Sequence, residues 1–434
     1  MSIELLTWAT YGLLLGAIVY FLLRNDEFPL LLAAFLYLTG LQRYEAVQSG
    51  QVKWVRVAYA SGVDFFTMND ELAIRALNLF VLGTAVLMIA YISFRLPHKS
   101  RRRIDNPGIF KQFFLKRRTT IIAIFVFFLF FNSISRNFVR GGIAYGNSYF
   151  LLFGMAVGGI ILLMYLVFKN MTLKRQGLSK LIFAGLIVIA AGLSYSASGR
   201  FKFLSWAVAL GLIITRDMHP FKKAQIYAIG GVIILSVFAL AGVSRYQKLD
   251  TLTTEEKAEL ALGRFENAED GNMLDGFMMA LQVYPDLLDY HYGTEHLEIL
   301  VRPIPRRLWP SKPVGGYVNK LGLNDNMGGG TVGISQTIYG SFYGEGGVGG
   351  IIVLSIMYGW LFASLMHYGE RYNSDARWLV KGLVFASAIP LLRGGDLPGI
   401  YAFIGMAFWP VFILLYQYNK HLKKINQAAR RQVG

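Results

Sequence analysis

The sequence contains no cysteine. That excludes disulfides, thiol catalysis, thiolate-bound metals and iron–sulfur clusters. Charge is also scarce: Asp, Glu, Lys and Arg make up 16% of the 434 residues, against roughly 25% in soluble domains. Negative charge is the scarcer sign, with 26 acidic residues against 43 basic ones and a formal net charge of +17. The apolar runs do not alternate, which argues against a transmembrane barrel. No Gly-Lys-Ser/Thr follows a glycine-rich strand end, so a nucleotide P-loop is not expected. There is no nucleophile elbow and no His-Glu-x-x-His zinc motif.

What the chain has in abundance is apolar surface. Hydrophobic residues make up 54% and aromatics 15%, and the mean hydropathy is +0.44. We read an all-α polytopic membrane protein with about 11 spans (10 to 12), in eleven apolar segments: 5–23, 28–41, 73–94, 119–134, 149–168, 181–194, 201–214, 224–243, 347–366, 379–392 and 399–417. Several are shorter than the ~20 residues a helix needs to cross a bilayer, so they must extend into polar flanks or stop short. No basic stretch precedes Leu5–Leu23, which reads as a span rather than a cleavable signal.

Lys and Arg concentrate in the loops 95–118, 169–180, 215–223 and 369–378 and in the tail. These follow the third, fifth, seventh, ninth and eleventh segments. One topology places all of them in the cytoplasm: amino terminus outside, carboxyl terminus inside. The positive charge thus reflects loop sidedness, and nucleic acid is not expected as a partner. The opposite face receives one long polar segment between the eighth and ninth spans. The domain organisation follows as a first bundle of about eight spans (1–243), an outer loop (244–346), and a second bundle of about three spans with a basic tail (347–434).

Arg200, Arg245 and Arg393 each adjoin an apolar segment, in the contexts Ser-Ala-Ser-Gly-Arg200, Gly-Val-Ser-Arg245-Tyr and Leu-Leu-Arg393-Gly-Gly-Asp396. The topology puts all three on the outer face. An Arg at the centre of a span costs about 2.5–3.5 kcal/mol. Snorkelling to the interface accounts for one such residue. Three of them, each beside Gly or Ser, favour an anion site, and guanidinium forks suit phosphate oxygens. Arg136 and Arg140 extend the patch. A second feature is the rigid, proline-rich stretch Arg302-Pro-Ile-Pro-Arg306-Arg307-Leu-Trp309-Pro-Ser-Lys312-Pro313. It is either a packed surface loop or a substrate-facing wall, with Trp309 stacking on a sugar and its basic groups toward phosphate. Beyond it runs a glycine-rich stretch, including Tyr339, that predicts irregular backbone at the start of the ninth span. A general base, if one is used, is drawn from Asp275, His291, His296 or Asp396. His291 and His296 are five apart rather than four, and no metal is expected.

Together these pieces resemble the Wzy-type oligosaccharide repeat-unit polymerases. Four carry the resemblance: Ser-Gly-Arg200 before an apolar run, Ile-Pro-Arg-Arg-Leu-Trp-Pro-Ser-Lys-Pro313, Ser335-Gln-Thr-Ile-Tyr339-Gly, and Leu-Leu-Arg393-Gly-Gly-Asp396. The resemblance covers about 194–400; the first 190 residues match only as apolar spans. It implies a GT-C-like glycosyltransferase of the bacterial inner membrane, multi-pass, with its active site facing the periplasm. The donor is a glycan on undecaprenyl pyrophosphate and the acceptor a lipid-linked repeat unit. Arg200, Arg245 and Arg393 then hold the donor pyrophosphate as leaving group, and neither metal nor cofactor is needed. Other implied partners are membrane lipid and a chain-length regulator. The O-antigen ligase type shares this plan, and a flippase or transporter of lipid-linked sugar is the reading from another class.

Overall fold

In the computed structural model the described parts of the apolar segments are almost entirely helical. The structure describes residues 2–59, 64–96, 103–140, 156–170, 181–182, 185–186, 200–243, 253, 255–256, 272–302, 304, 308–313, 315–323 and 334–433. Side chains at 129, 131–140, 200–202, 233–243, 429–430 and 432–433 are excepted.

The elements run α1 (Ile3–Arg24), α2 (Phe28–Leu36), a π-helical turn (Tyr37–Leu41), α3 (Gln42–Gln48), β1 (Ala58–Tyr59), β2 (Asp64–Phe65), α4 (Asp70–Arg95), α5 (Pro107–Leu115) and α6 (Arg118–Arg140). They continue as α7 (Val157–Asn170), α8 (Arg200–Thr215), α9 (Pro220–Val243), α10 (Met273–Val283), α11 (Thr294–Val301) and α12 (Tyr317–Lys320). The last three are α13 (Thr337–Glu370), α14 (Asp375–Arg393) and α15 (Leu397–Val433). Local chemistry sets several starts. Ser2, Asn69 and Asn106 sit in extended backbone and accept from the amides of Leu5, Leu72 and Ile109, so α1, α4 and α5 begin where a polar side chain can satisfy a free N–H.

Among the described residues, four helices are long and apolar enough to cross a bilayer: Ile3–Arg24, Asp70–Arg95, Thr337–Glu370 and Leu397–Ala428. The chain is thus a mostly helical membrane protein. The short 28–41 segment solves its length problem by continuing through the π turn into α3, so the helix extends into polar sequence. The segment 42–72 adds a two-stranded antiparallel ladder, β1 with β2, a small departure from an all-α chain.

The chain forms two compact units. The first comprises 1–97, 218–363 and 388–402; the second comprises 98–217, 364–387 and 403–434. In the first, α10 packs against α4 and the π turn and is buried along nearly its whole length. Within the polar 244–346 segment, where helical periodicity is plausible at Thr254–Arg264 and Asp275–Leu288, the Met-Leu-x-Gly-Phe-Met-Met stretch is thus a core helix. The unit is fastened by Arg43 and Asp275, a bidentate pair with both contacts at 2.9 Å. The pair is 2% and 0% exposed. The Val55 amide adds a third hydrogen bond to Asp275 at 2.8 Å. Elsewhere in the same unit Asp26 accepts from Arg95 and Tyr91, and Lys223 donates to Glu27 and Asn25.

In the second unit Asp375 gathers Lys169, Asn170 and Arg216, at 3.1, 3.4 and 2.6 Å. Asp105 accepts from the Asn373 amide, the Ser374 hydroxyl and the Tyr418 hydroxyl. Within each unit these loop contacts join segments distant in sequence. Residues 24–27 meet 95 and 223; 103–105 meet 371–374; 169–170 and 216 meet 375. Residues 43, 55 and 67 meet 275 and 282; 302 meets 396.

Candidate functional site

The site grows from a break in α13. Gly346 is extended and Gly347 has φ +62° with ψ −143°, a conformation open to glycine alone. The helix stops at Glu345 and restarts in a new direction. The irregular backbone expected in this glycine run is therefore present. The interrupted ladder leaves carbonyls without helical partners, and the chain at 290–293 supplies them. The His291 amide donates to Gly344 O and the Tyr292 amide to Glu345 O, each at 2.9 Å. The Gly293 amide reaches the Glu345 carboxylate.

The break brings one imidazole between two parts of α13. His296 Nδ1 lies 2.6 Å from Glu345 Oε1, and its Nε2 lies 3.2 Å from the Tyr358 hydroxyl. Along an unbroken helix residues 345 and 358 sit about 20 Å apart, too far for one ring to touch both. The carboxylate can only accept, so Nδ1 carries a proton; in the neutral ring Nε2 is then the acceptor. The Tyr358 hydroxyl lies 2.8 Å from that of Tyr401. The result is a continuous chain Glu345–His296–Tyr358–Tyr401.

Beside it three of the four sequence pieces meet. Gly394 bridges to Thr337 in parallel fashion, which ties Leu-Leu-Arg393-Gly-Gly-Asp396 to Ser335-Gln-Thr-Ile. The proline-rich piece joins through Arg302, whose Nη2 donates to Asp396 Oδ2 at 2.8 Å. Asp396 also caps α15, accepting from the Gly399 amide at 2.9 Å. Burial raises the Asp396 carboxyl above its ordinary value, opposed by Arg302. Lys320 lies 3.0 Å from His291 Nε2, which the Tyr284 hydroxyl also approaches at 2.9 Å. Burial, then the Lys320 charge, lowers the His291 pKa, so this ring stays neutral. Glu298 has one buried carboxylate oxygen with no hydrogen-bond partner among the described residues.

Glu295 is nearly fully buried and accepts from the Gly316 amide at 2.9 Å. Burial pushes its carboxyl up to about 8 from 4.5, with Lys320 opposing. The folded protein keeps a proton there that the unfolded chain releases. Stability from this group is complete below about 4.5 and is lost as pH rises toward about 8. The wild-type protein in detergent is expected to melt lower at pH 8 than at pH 5, and Glu295→Gln to reduce that difference. An unchanged pH slope in the variant sinks this assignment.

The expected residues separate clearly. His296, Asp396, Arg302 and Arg393 belong to this cluster or the segments that form it. Asp275 does not: its buried pair with Arg43 makes it an anchor, with no oxygen facing outward as a base needs. Tyr339, expected from the sequence to bind substrate, is 1% exposed, and its ring packs on Gly83 and Phe80. Lys312 is buried and donates to the Arg302 and Ile304 carbonyls at 3.0 and 2.6 Å. It closes its own loop rather than facing phosphate. Trp309 is 37% exposed, with its indole N–H on Ser311. Arg136 and Arg140 lie on α6 and Arg200 opens α8, their side chains outside the described residues. Arg245, Arg306 and Arg307 fall wholly outside them. Among the described residues there is no cluster suited to a metal ion. Reasoning from the sequence missed Glu345, Tyr358, Tyr401 and Lys320. Only Glu345 left a signal, as the one charge inside the glycine run.

No family model, curated protein or solved structure matches the chain.

Proposed function

We propose that the chain is a membrane glycosyltransferase of the repeat-unit polymerase type. It transfers a growing glycan from undecaprenyl pyrophosphate to a lipid-linked repeat unit at the outer face of the inner membrane. The observation that carries this reading is the meeting of the 302–313, 335–340 and 393–396 pieces around a carboxylate-backed histidine. Each piece carries, in sequence, residues suited to this chemistry. Eleven spans in a GT-C-like arrangement and a cytoplasmic carboxyl terminus belong to the same proposal.

The reaction asks for two things. The attacking sugar hydroxyl must lose a proton, and the diphosphate must leave as an anion. The His296–Glu345 pair supplies basicity. Arg393, with Arg200 and Arg245, supplies positive charge to the leaving group.

Arg393→Ala is the direct test. At equal expression and membrane insertion, cells carrying it are expected to display single repeat units in place of long chains. Normal chain length overturns the pyrophosphate role. Accumulation of long lipid-linked polymer identifies the ligase type instead.

A further inference from the structure

We propose that Tyr401 is the group that accepts the proton of the attacking hydroxyl, and that Tyr358 passes it on to His296. The proposal rests on the polymerase reading above. It follows from the occupancy of the imidazole. Nδ1–H is held by Glu345, and the Nε2 lone pair takes the Tyr358 hydroxyl. Neither nitrogen of His296 is left to meet a substrate. Tyr358 is 4% exposed and its hydroxyl is enclosed between His296 and Tyr401. Tyr401 is the outer end of the chain. It is partly exposed and sits in the first turn of α15, one turn beyond Asp396 and the Arg393-Gly-Gly corner.

The proton count closes along this line. The acceptor O–H gives its proton to Tyr401 Oη as the acceptor oxygen bonds the anomeric carbon. Tyr401 releases its own proton to Tyr358, and Tyr358 releases its proton to His296 Nε2. Both phenols end as they began, and the charge rests on an imidazolium beside Glu345. The bond from anomeric carbon to diphosphate oxygen breaks, and that oxygen keeps the electron pair. A phenol alone is a poor base near neutral pH. Coupled to a carboxylate-backed imidazole, it need never carry charge.

Purified full-length wild type, Tyr401→Phe and Tyr358→Phe are compared with lipid-linked repeat units in detergent, in H2O and D2O. Phenylalanine keeps the ring packing, so melting temperatures should stay close to wild type. Each variant is expected to lose about 100-fold in kcat, with KM for the lipid-linked substrates unchanged. The wild-type rate should fall in D2O with a curved dependence on deuterium fraction, the mark of several protons moving together, and the variants should lose that curvature. Should Tyr401→Phe fail to fold, Tyr358→Phe carries the same test. A phenylalanine variant at the wild-type rate with an unchanged isotope effect overturns the relay and leaves the polymerase reading intact. Wild-type protein that makes no polymer overturns the polymerase reading, and the relay with it.

Discussion

Gly394→Val is expected to abolish polymer formation and to lower the melting temperature in detergent by more than any surface substitution. Gly394 has φ +69°, where a side chain strains the backbone. A Cβ built there lies 1.9 Å from Thr337 O, 2.1 Å from its carbonyl carbon and 2.7 Å from the Ile338 amide. These are backbone atoms at the start of α13, and they cannot step aside as a flexible side chain can. Strain and overpacking together cost about 3–5 kcal/mol. The close approach at this glycine is made by the chain itself. Gly395 is the internal control. It too has positive φ, +113°, but nothing lies within 4 Å of its Cβ position. Gly395→Ala carries strain alone and is expected to cost about 1–3 kcal/mol. Equal melting losses for Gly394→Val and Gly395→Ala overturn the close-approach argument.

Asp275→Ala is expected to cost about 3–5 kcal/mol, the usual consequence of stranding one member of a buried pair. Arg43 is left enclosed with no carboxylate, and the Val55 amide loses its acceptor. The double variant Arg43→Met, Asp275→Leu removes both charges and should recover much of the loss. Thermal unfolding in detergent measures both. The pattern also separates anchor from base. If Asp275 acted chemically, Asp275→Asn at the wild-type melting temperature would still lose turnover. The buried geometry leads to the opposite expectation, with turnover following stability.

Much of this architecture was legible in the sequence because bilayers impose blunt rules. Apolar length marks the helices. The pieces at 302–313, 335–340 and 393–396 stood out by composition, and residues of each touch another. Three things were not legible. The helix around Asp275–Leu288 was legible as periodicity, but its burial was not, because that depends on α4 and the π turn and not on its own pattern. Asp275 looked like any carboxylate in that loop, because nothing near it in sequence announces Arg43, more than 200 positions away. The roles of Tyr358 and Tyr401 could not be read at all. On straight spans they are two of many tyrosines, and only the bend at Gly346–Gly347 brings Tyr358 to the imidazole that Glu345 holds.

That bend sets a spacing in this chain. The nine residues from Thr337 to Glu345 form a short helix clamped at both ends, by Gly394 at the first and by the amides of His291 and Tyr292 at the last. Its length is therefore a ruler of about 13 Å. One residue more or fewer would turn the carboxylate by about 100° away from its histidine. A chain with entirely different side chains could keep this arrangement, provided it kept the count. Spacing from the Ser-Gln-Thr corner to the acidic residue before a glycine pair is thus what this geometry constrains, more than residue identity.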